Sequence, residues 1–132
     1  MIGNLKMTET IQRLRTGPRM SKIVQYAGLV FLSGQTSAGI SLSDIVGQTR
    51  EVLHRIDELL AEAGSDKSNL LSATIYLRDI VTFAAMNVEW EAWMASHAAP
   101  ARTTVEARLA NPDLLIEISV IAAVSVADSS GS

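Results

Sequence analysis

Two charged side chains near the end of the chain, Arg102 and Glu117, are of types suited to small-molecule chemistry. An arginine presents a rigid planar fork that matches a carboxylate with two parallel hydrogen bonds. A glutamate near the same ligand can hold a water or move a proton. Other reactive groups are scarce. There is no cysteine, which excludes disulfides, thiol nucleophiles and Cys-ligated zinc. His54 is expected on the polar side of a helix and His97 in a loop, so one chain offers no multi-histidine metal site. Neither a metal nor a cofactor is expected.

The elements that must position this pair are two terminal strands, 102–109 and 114–126, joined by Ala110-Asn111-Pro112-Asp113. In the last strand Ile116, Ile118, Val120, Ala122 and Val124 alternate and belong under helices, which turns Glu117 to the other face. In the preceding strand Val105, Ala107 and Leu109 are expected to face the core while Arg102, Thr104, Glu106 and Arg108 look away. A hairpin with Thr104 opposite Glu117 sets Arg102 on the diagonal from Glu117, about 7 to 8 Å away. The alternative register opposes Glu106 to Glu117 and is disfavoured by like-charge repulsion. Two readings stay open: a cross-hairpin salt bridge contributing about 0 to 1 kcal/mol, or a cleft for a small carboxylate. Leu115 and Ile121 beside Thr104 and Ser119 make a face too apolar for open water and too polar for a closed core, which suits cover by another chain.

Earlier in the chain, a short strand at 10–15 precedes a break at Gly17-Pro18, and strands 23–26 and 29–32 flank a hairpin signal, Ala27-Gly28. Ile45, Gln48, Val52, Ile56, Leu59, Leu60 and Ala63 recur at helical spacing, predicting a helix over 44–63 that Gly64 stops. A third main strand at 70–77 and a second helix over 81–94 follow. That helix carries Phe83, Met86, Asn87, Trp90, Trp93 and Met94 along one broad stripe. The order β-β-β-α-β-α-β-β predicts an α+β domain with both helices on one face of a sheet. The 132 residues suit a single domain over 1–132, with 1–9 and 127–132 expected to be loose and Met7 a possible second start. A net charge of −3 offers no electrostatic footprint for a phosphate backbone, so nucleic acid is disfavoured. No apolar stretch approaches a membrane span and the first dozen residues lack a signal-peptide core, so a cytoplasmic location is expected.

Taken with their order and spacing, Ser33-Gly34-Gln35, Gln48-Thr49, Asp79 with Phe83 and Met86-Asn87, Pro100-Ala101-Arg102-Thr103 and Ile116-Glu117-Ile118 resemble the RidA/YjgF family of enamine/imine deaminases. The resemblance implies a chorismate-mutase-like α+β fold and a homotrimer with clefts between subunits. It implies that Arg102 holds the substrate carboxylate, that Glu117 positions the attacking water, and that Ser33 and the Gly34 amide lie at the cleft. Asn87 matches the family's helix asparagine; an amide bonding nearby backbone is the alternative to substrate contact. The sequence departs from many deaminating members, which carry a tyrosine after the Gly-Pro pair and a cysteine two residues past the arginine. Here Arg19-Met20-Ser21 and Thr104 stand in those neighbourhoods, and Arg19 either adds a second positive group for a dicarboxylate or is a solvated surface residue.

The expected function is hydrolysis of short 2-imino or 2-enamino acids to 2-oxo acids and ammonia. A non-catalytic trimer that binds small carboxylates would use the same Arg102. Ribonuclease activity, assigned to some relatives, fits poorly with the acidic balance and with two Trp, two Tyr and two Phe, too few for a base-stacking platform.

Overall fold

The computed structural model describes residues 10–125. Ala27 and Gly28 both take positive φ, 52° and 80°, as a tight two-residue hairpin loop requires. They close β2 (Ser21–Tyr26) onto β3 (Leu29–Leu32), while β1 (Gln12–Thr16) pairs with the outer side of β2. The next element is α1 (Ile45–Glu62). Asp44 caps it, its side chain accepting from Gly47 N at 2.8 Å, and Gly64 beyond its end takes a φ of 77°. A 3-10 turn at Lys67–Asn69 leads into β4 (Leu70–Leu77). Another at Ile80–Thr82, capped by Asp79, occupies the expected start of the second helix, so α2 runs from Phe83 to Met94. The chain then forms β5 (Ala101–Glu106) and β6 (Ile116–Ala123), shorter than the expected strands. The element order is the expected one, in a single α+β domain with two helices over a mixed sheet. The expectations for 1–9 and for 126–132 lie outside the described residues.

Strand order in the six-stranded sheet is β1-β2-β3-β6-β4-β5. This corrects the expected hairpin of the last two strands, because β4 lies between them. The physical reason is the route of the chain. A strand–helix–strand connection through α2 returns β5 parallel to β4, with Ala73 level with Arg102 and Tyr76 with Val105. The alternating apolar β6 gains two neighbours by inserting antiparallel between β3 and β4.

The expected facing of β5 is reversed as well. Buried Ala73 is level with both Arg102 and Val120, and residues level across strands share a face. Arg102, Thr104 and Glu106 therefore look toward the helices and Val105 away. A sheet-edge strand tolerates this, since long polar side chains on its helix side still reach water.

The core lies between the helices and the sheet, where Ile56, Leu60, Ile75, Met86 and Ile118 are fully buried. Fully buried Gln48 joins α1 to two loops. Its amide nitrogen donates to the carbonyls of Leu42 (2.8 Å) and Asp113 (2.9 Å), and its oxygen accepts from Leu115 N (2.8 Å). That last bond holds the entry to β6 and so the position of Glu117. The opposite face of the sheet carries Val24, Phe31, Thr74, Tyr76, Glu117 and Ile121, a half-apolar surface away from both helices.

Candidate functional site

Glu117 stands on the open face, level with Tyr76 of β4. Beyond β3, Gln35 and Ile118 exchange two backbone hydrogen bonds of 2.8 and 3.0 Å, which draws the preceding residue, Gly34, against the Glu117 side chain. A Cβ at position 34 would lie 2.8 Å from Glu117 Cδ and 3.0 Å from Cγ, so a glycine is what allows the close approach. Gly34, Tyr76, Arg108, Glu117 and Ser119 line a cavity of about 400 Å³. Among the described residues the Glu117 carboxylate has neither an ion pair nor a hydrogen bond.

Arg102 occupies the other face, under α2. Phe83, Asn87 and Trp90 recur at helical spacing on one side of that helix. The guanidinium carbon lies 5.7 Å from the Phe83 ring centroid and 5.4 Å from that of Trp90, within cation–π range of both. Burial pushes the Arg102 pKa below the usual guanidinium value, with the charge of Glu91 opposing that shift. Guanidinium nonetheless stays charged in proteins. No described carboxylate pairs with it. Among the described residues three buried side-chain polar atoms lack a partner: Thr49 Oγ1 on α1, and, on the Arg102 side, Asn87 Oδ1 on α2 and Thr104 Oγ1 two residues along β5. An unpaired cation and two orphaned polar oxygens on the helix side of one sheet edge are costly unless a ligand satisfies them.

The structure thus brings Gly34 to Glu117, and places Arg102, Asn87 and Thr104 on the helix side, but it does not join the two groups. Arg102 and Glu117 are separated by β4 and lie on opposite faces, which overturns the expected diagonal contact. The amide oxygen of Asn87 does not bond nearby backbone. The Ser33 hydroxyl and carbonyl oxygens both accept from Gln35 Nε2, at 3.2 and 3.0 Å. Arg19 is exposed in the turn between β1 and β2, at the sheet edge opposite β5. His54 is exposed on α1, 3.5 Å from Glu58, and His97 is exposed after α2. Among the described residues no group of three or more His, Asp or Glu is arranged to hold a metal ion.

Sequence reasoning missed Phe83 and Trp90 as neighbours of Arg102, because they read as part of a core stripe. Phe83 is in fact 40% exposed, at the rim of the cluster. Tyr76 was missed too, and Arg108, expected on the face of Glu117, was not read as part of a site; their place beside Glu117 follows from strand register, for which the sequence carries no local signal.

Comparison with known proteins bears on the family and the fold. The family model described as Endoribonuclease L-PSP matches residues 10–124. A RutC family protein of Haemophilus influenzae is 41% identical over 113 residues, covering 86% of this chain and 97% of its own. The RutC family protein YoaB of Escherichia coli is 40% identical over 115 residues, covering 87% and 99%. A crystal structure of a YjgF family member from Neisseria meningitidis superposes with a TM-score of 0.87 at 44% identity, over 91% of this chain and 99% of that one. None of the described helices is long and apolar enough to cross a membrane.

Proposed function

The chain belongs to the endoribonuclease L-PSP family, the RidA/YjgF family, and on that premise we propose that it hydrolyses short 2-imino and 2-enamino acids to 2-oxo acids and ammonia. The observation that carries this reading is Arg102, a half-buried guanidinium flanked by two aromatic rings and lacking any carboxylate among the described residues. A substrate carboxylate supplies the missing anion in a bidentate pair.

Arg102 and Glu117 face opposite sides of one sheet, so a single cleft needs two copies of the chain. In a homotrimer the Arg102 cluster of one subunit meets the Gly34 and Glu117 cavity of the next, and the half-apolar sheet face is covered. Within that cleft an enamine first takes a proton on carbon and gives one up from nitrogen, becoming the imine. Glu117, unpaired among the described residues, holds a water against the imine carbon and accepts its proton as the new C–O bond forms. That proton passes to nitrogen to give the carbinolamine; its hydroxyl proton then moves through Glu117 to the amine, so that the C–N bond breaks, the carbonyl of the 2-oxo acid forms and ammonia leaves. Asn87 and Thr104 offer their unsatisfied oxygens to the substrate's polar hydrogens, and the Gly34 amide lies beside the reacting carbon. Ser33 supports that strand end. Arg19, at the far sheet edge, has no part within its own subunit's cluster.

In the test, an amino-acid oxidase generates 2-iminopropionate from alanine and its decay is followed. The wild type is expected to accelerate decay, and Arg102→Ala to lose about a hundredfold in kcat/KM, since truncating one partner of a desolvated charge pair costs ~2–5 kcal/mol. No acceleration by the wild type, or full activity in Arg102→Ala, would overturn the reading. A carboxylate-binding trimer without catalysis predicts instead that Glu117→Gln changes nothing, whereas a hydrolase loses turnover while keeping affinity for carboxylates.

A further inference from the structure

Arg78 and Arg108 form a second cationic feature that the proposed reaction leaves unused. Arg78 follows β4 and Arg108 lies just past β5, and because these strands are parallel their ends lie side by side. The backbone there is held by bonds from Ala107 N to Leu77 O (2.9 Å) and from Arg78 N to Leu115 O (3.0 Å). Both side chains line one concavity of about 690 Å³. Neither has an ion pair among the described residues, whereas Arg15, Arg50 and Arg55 each hold a glutamate. The acid in the same concavity, Glu106, is engaged by the amide of Ile80 at 2.8 Å. Two like charges bordering one hollow repel, and an anion between them removes that cost. The hollow adjoins the cavity of Glu117: residues 107–110 line both, so Arg108 borders the two.

We propose that Arg78 and Arg108 form a subsite for a second anionic group, which makes the preferred substrate a 2-imino dicarboxylate. Its reacting carbon lies at Glu117 and its distal carboxylate in this hollow. The inference rests on the proposed hydrolysis of 2-imino acids. It also transfers the role of a second positive group from Arg19, which stands at the opposite sheet edge.

For the test, 2-iminosuccinate and 2-iminopropionate are generated in place by oxidases acting on aspartate and alanine. Their kcat/KM values are compared for the wild type, Arg78→Met, Arg108→Met and the double variant. The wild type is expected to favour the dicarboxylate at least tenfold, each single variant to lose at least fivefold of that preference, and the double variant to lose nearly all of it. The wild-type preference is also expected to shrink as salt rises, because exposed charges are screened. A ratio in the double variant within twofold of the wild type overturns the subsite and leaves the deaminase reading standing. Should the wild type hydrolyse neither imine, the deaminase reading falls by itself. Calorimetric titration with succinate and propionate then decides the subsite: succinate binding that the double variant loses upholds it, and absent or unchanged binding overturns it.

Discussion

Gly34 and Glu117 are coupled by space rather than by a bond. A methyl group at position 34 meets the Glu117 Cδ and Cγ atoms, so the acid must swing out of its place against β3. Gly34→Ala is therefore expected to lower kcat/KM for 2-iminopropionate about tenfold or more, as misplacement of a catalytic group by roughly 1 Å can. In a Glu117→Gln background the same change is expected to cost little further, because residues acting as a unit are non-additive. Equal losses in the two backgrounds would show that Gly34 acts through something else. The facing of Glu117 was legible in the sequence, since β6 alternates apolar residues without interruption and only one parity can be buried. The facing of Arg102 was not. Val105 and Ala107 look like a core parity, yet on an edge strand an apolar residue can point to the open face and a cation to the helices.

At the scale of elements, the connection from α1 to β4 depends on a short 3-10 turn capped by Asp66. The Ser68 hydroxyl and the Ser68 amide, the latter at 2.8 Å, both donate to its carboxylate and hold its pKa below the usual range, with burial opposing and His97 adding a smaller attraction. A carboxyl whose pKa is lower folded than unfolded stabilises the fold while ionised. That contribution is complete above the unfolded value of about 3.9 and is lost as pH falls below it. Thermal unfolding of Asp66→Asn is thus expected to depend less on pH between about 5 and about 3 than that of the wild type, with near-equal Tm at neutral pH because Asn also caps. Identical acid slopes would remove the role given to this carboxyl. The helices and their caps were legible because periodicity and capping are local. The 3-10 turn before α2 was not, since Ile80 and Val81 continue an apolar run that reads as helix, while Asp79 and Glu106 bind the amides of Val81 and Ile80.

The described residues expose one sheet face carrying Phe31, Tyr76 and Ile121 with Glu117, and keep the Arg102 guanidinium, flanked by two aromatic rings, on the other side. Proposed assembly into a trimer resolves both. Sizing chromatography with light scattering is expected to give three times the 14.2 kDa of the chain. Introducing a charge on the open face, Ile121→Lys, is expected to yield monomers that lose imine hydrolysis together with assembly. A stable, active monomer would contradict the shared cleft.

From the sequence alone came the element order, the helix seams, the hairpin at Ala27-Gly28, and Arg102 and Glu117 as a pair worth following. These rest on periodicity, turn chemistry and residue type, which are properties of neighbours along the chain. Only the tertiary structure decided that β6 enters between β3 and β4, that Arg102 faces α2, and that Arg78 and Arg108 border one hollow. Strand adjacency is chosen by packing between residues far apart in sequence, and a strand that gains two buried neighbours is more stable than one paired only with its successor. That choice separates Arg102 from Glu117 within the chain, which is why the chemistry proposed for them calls for a second copy.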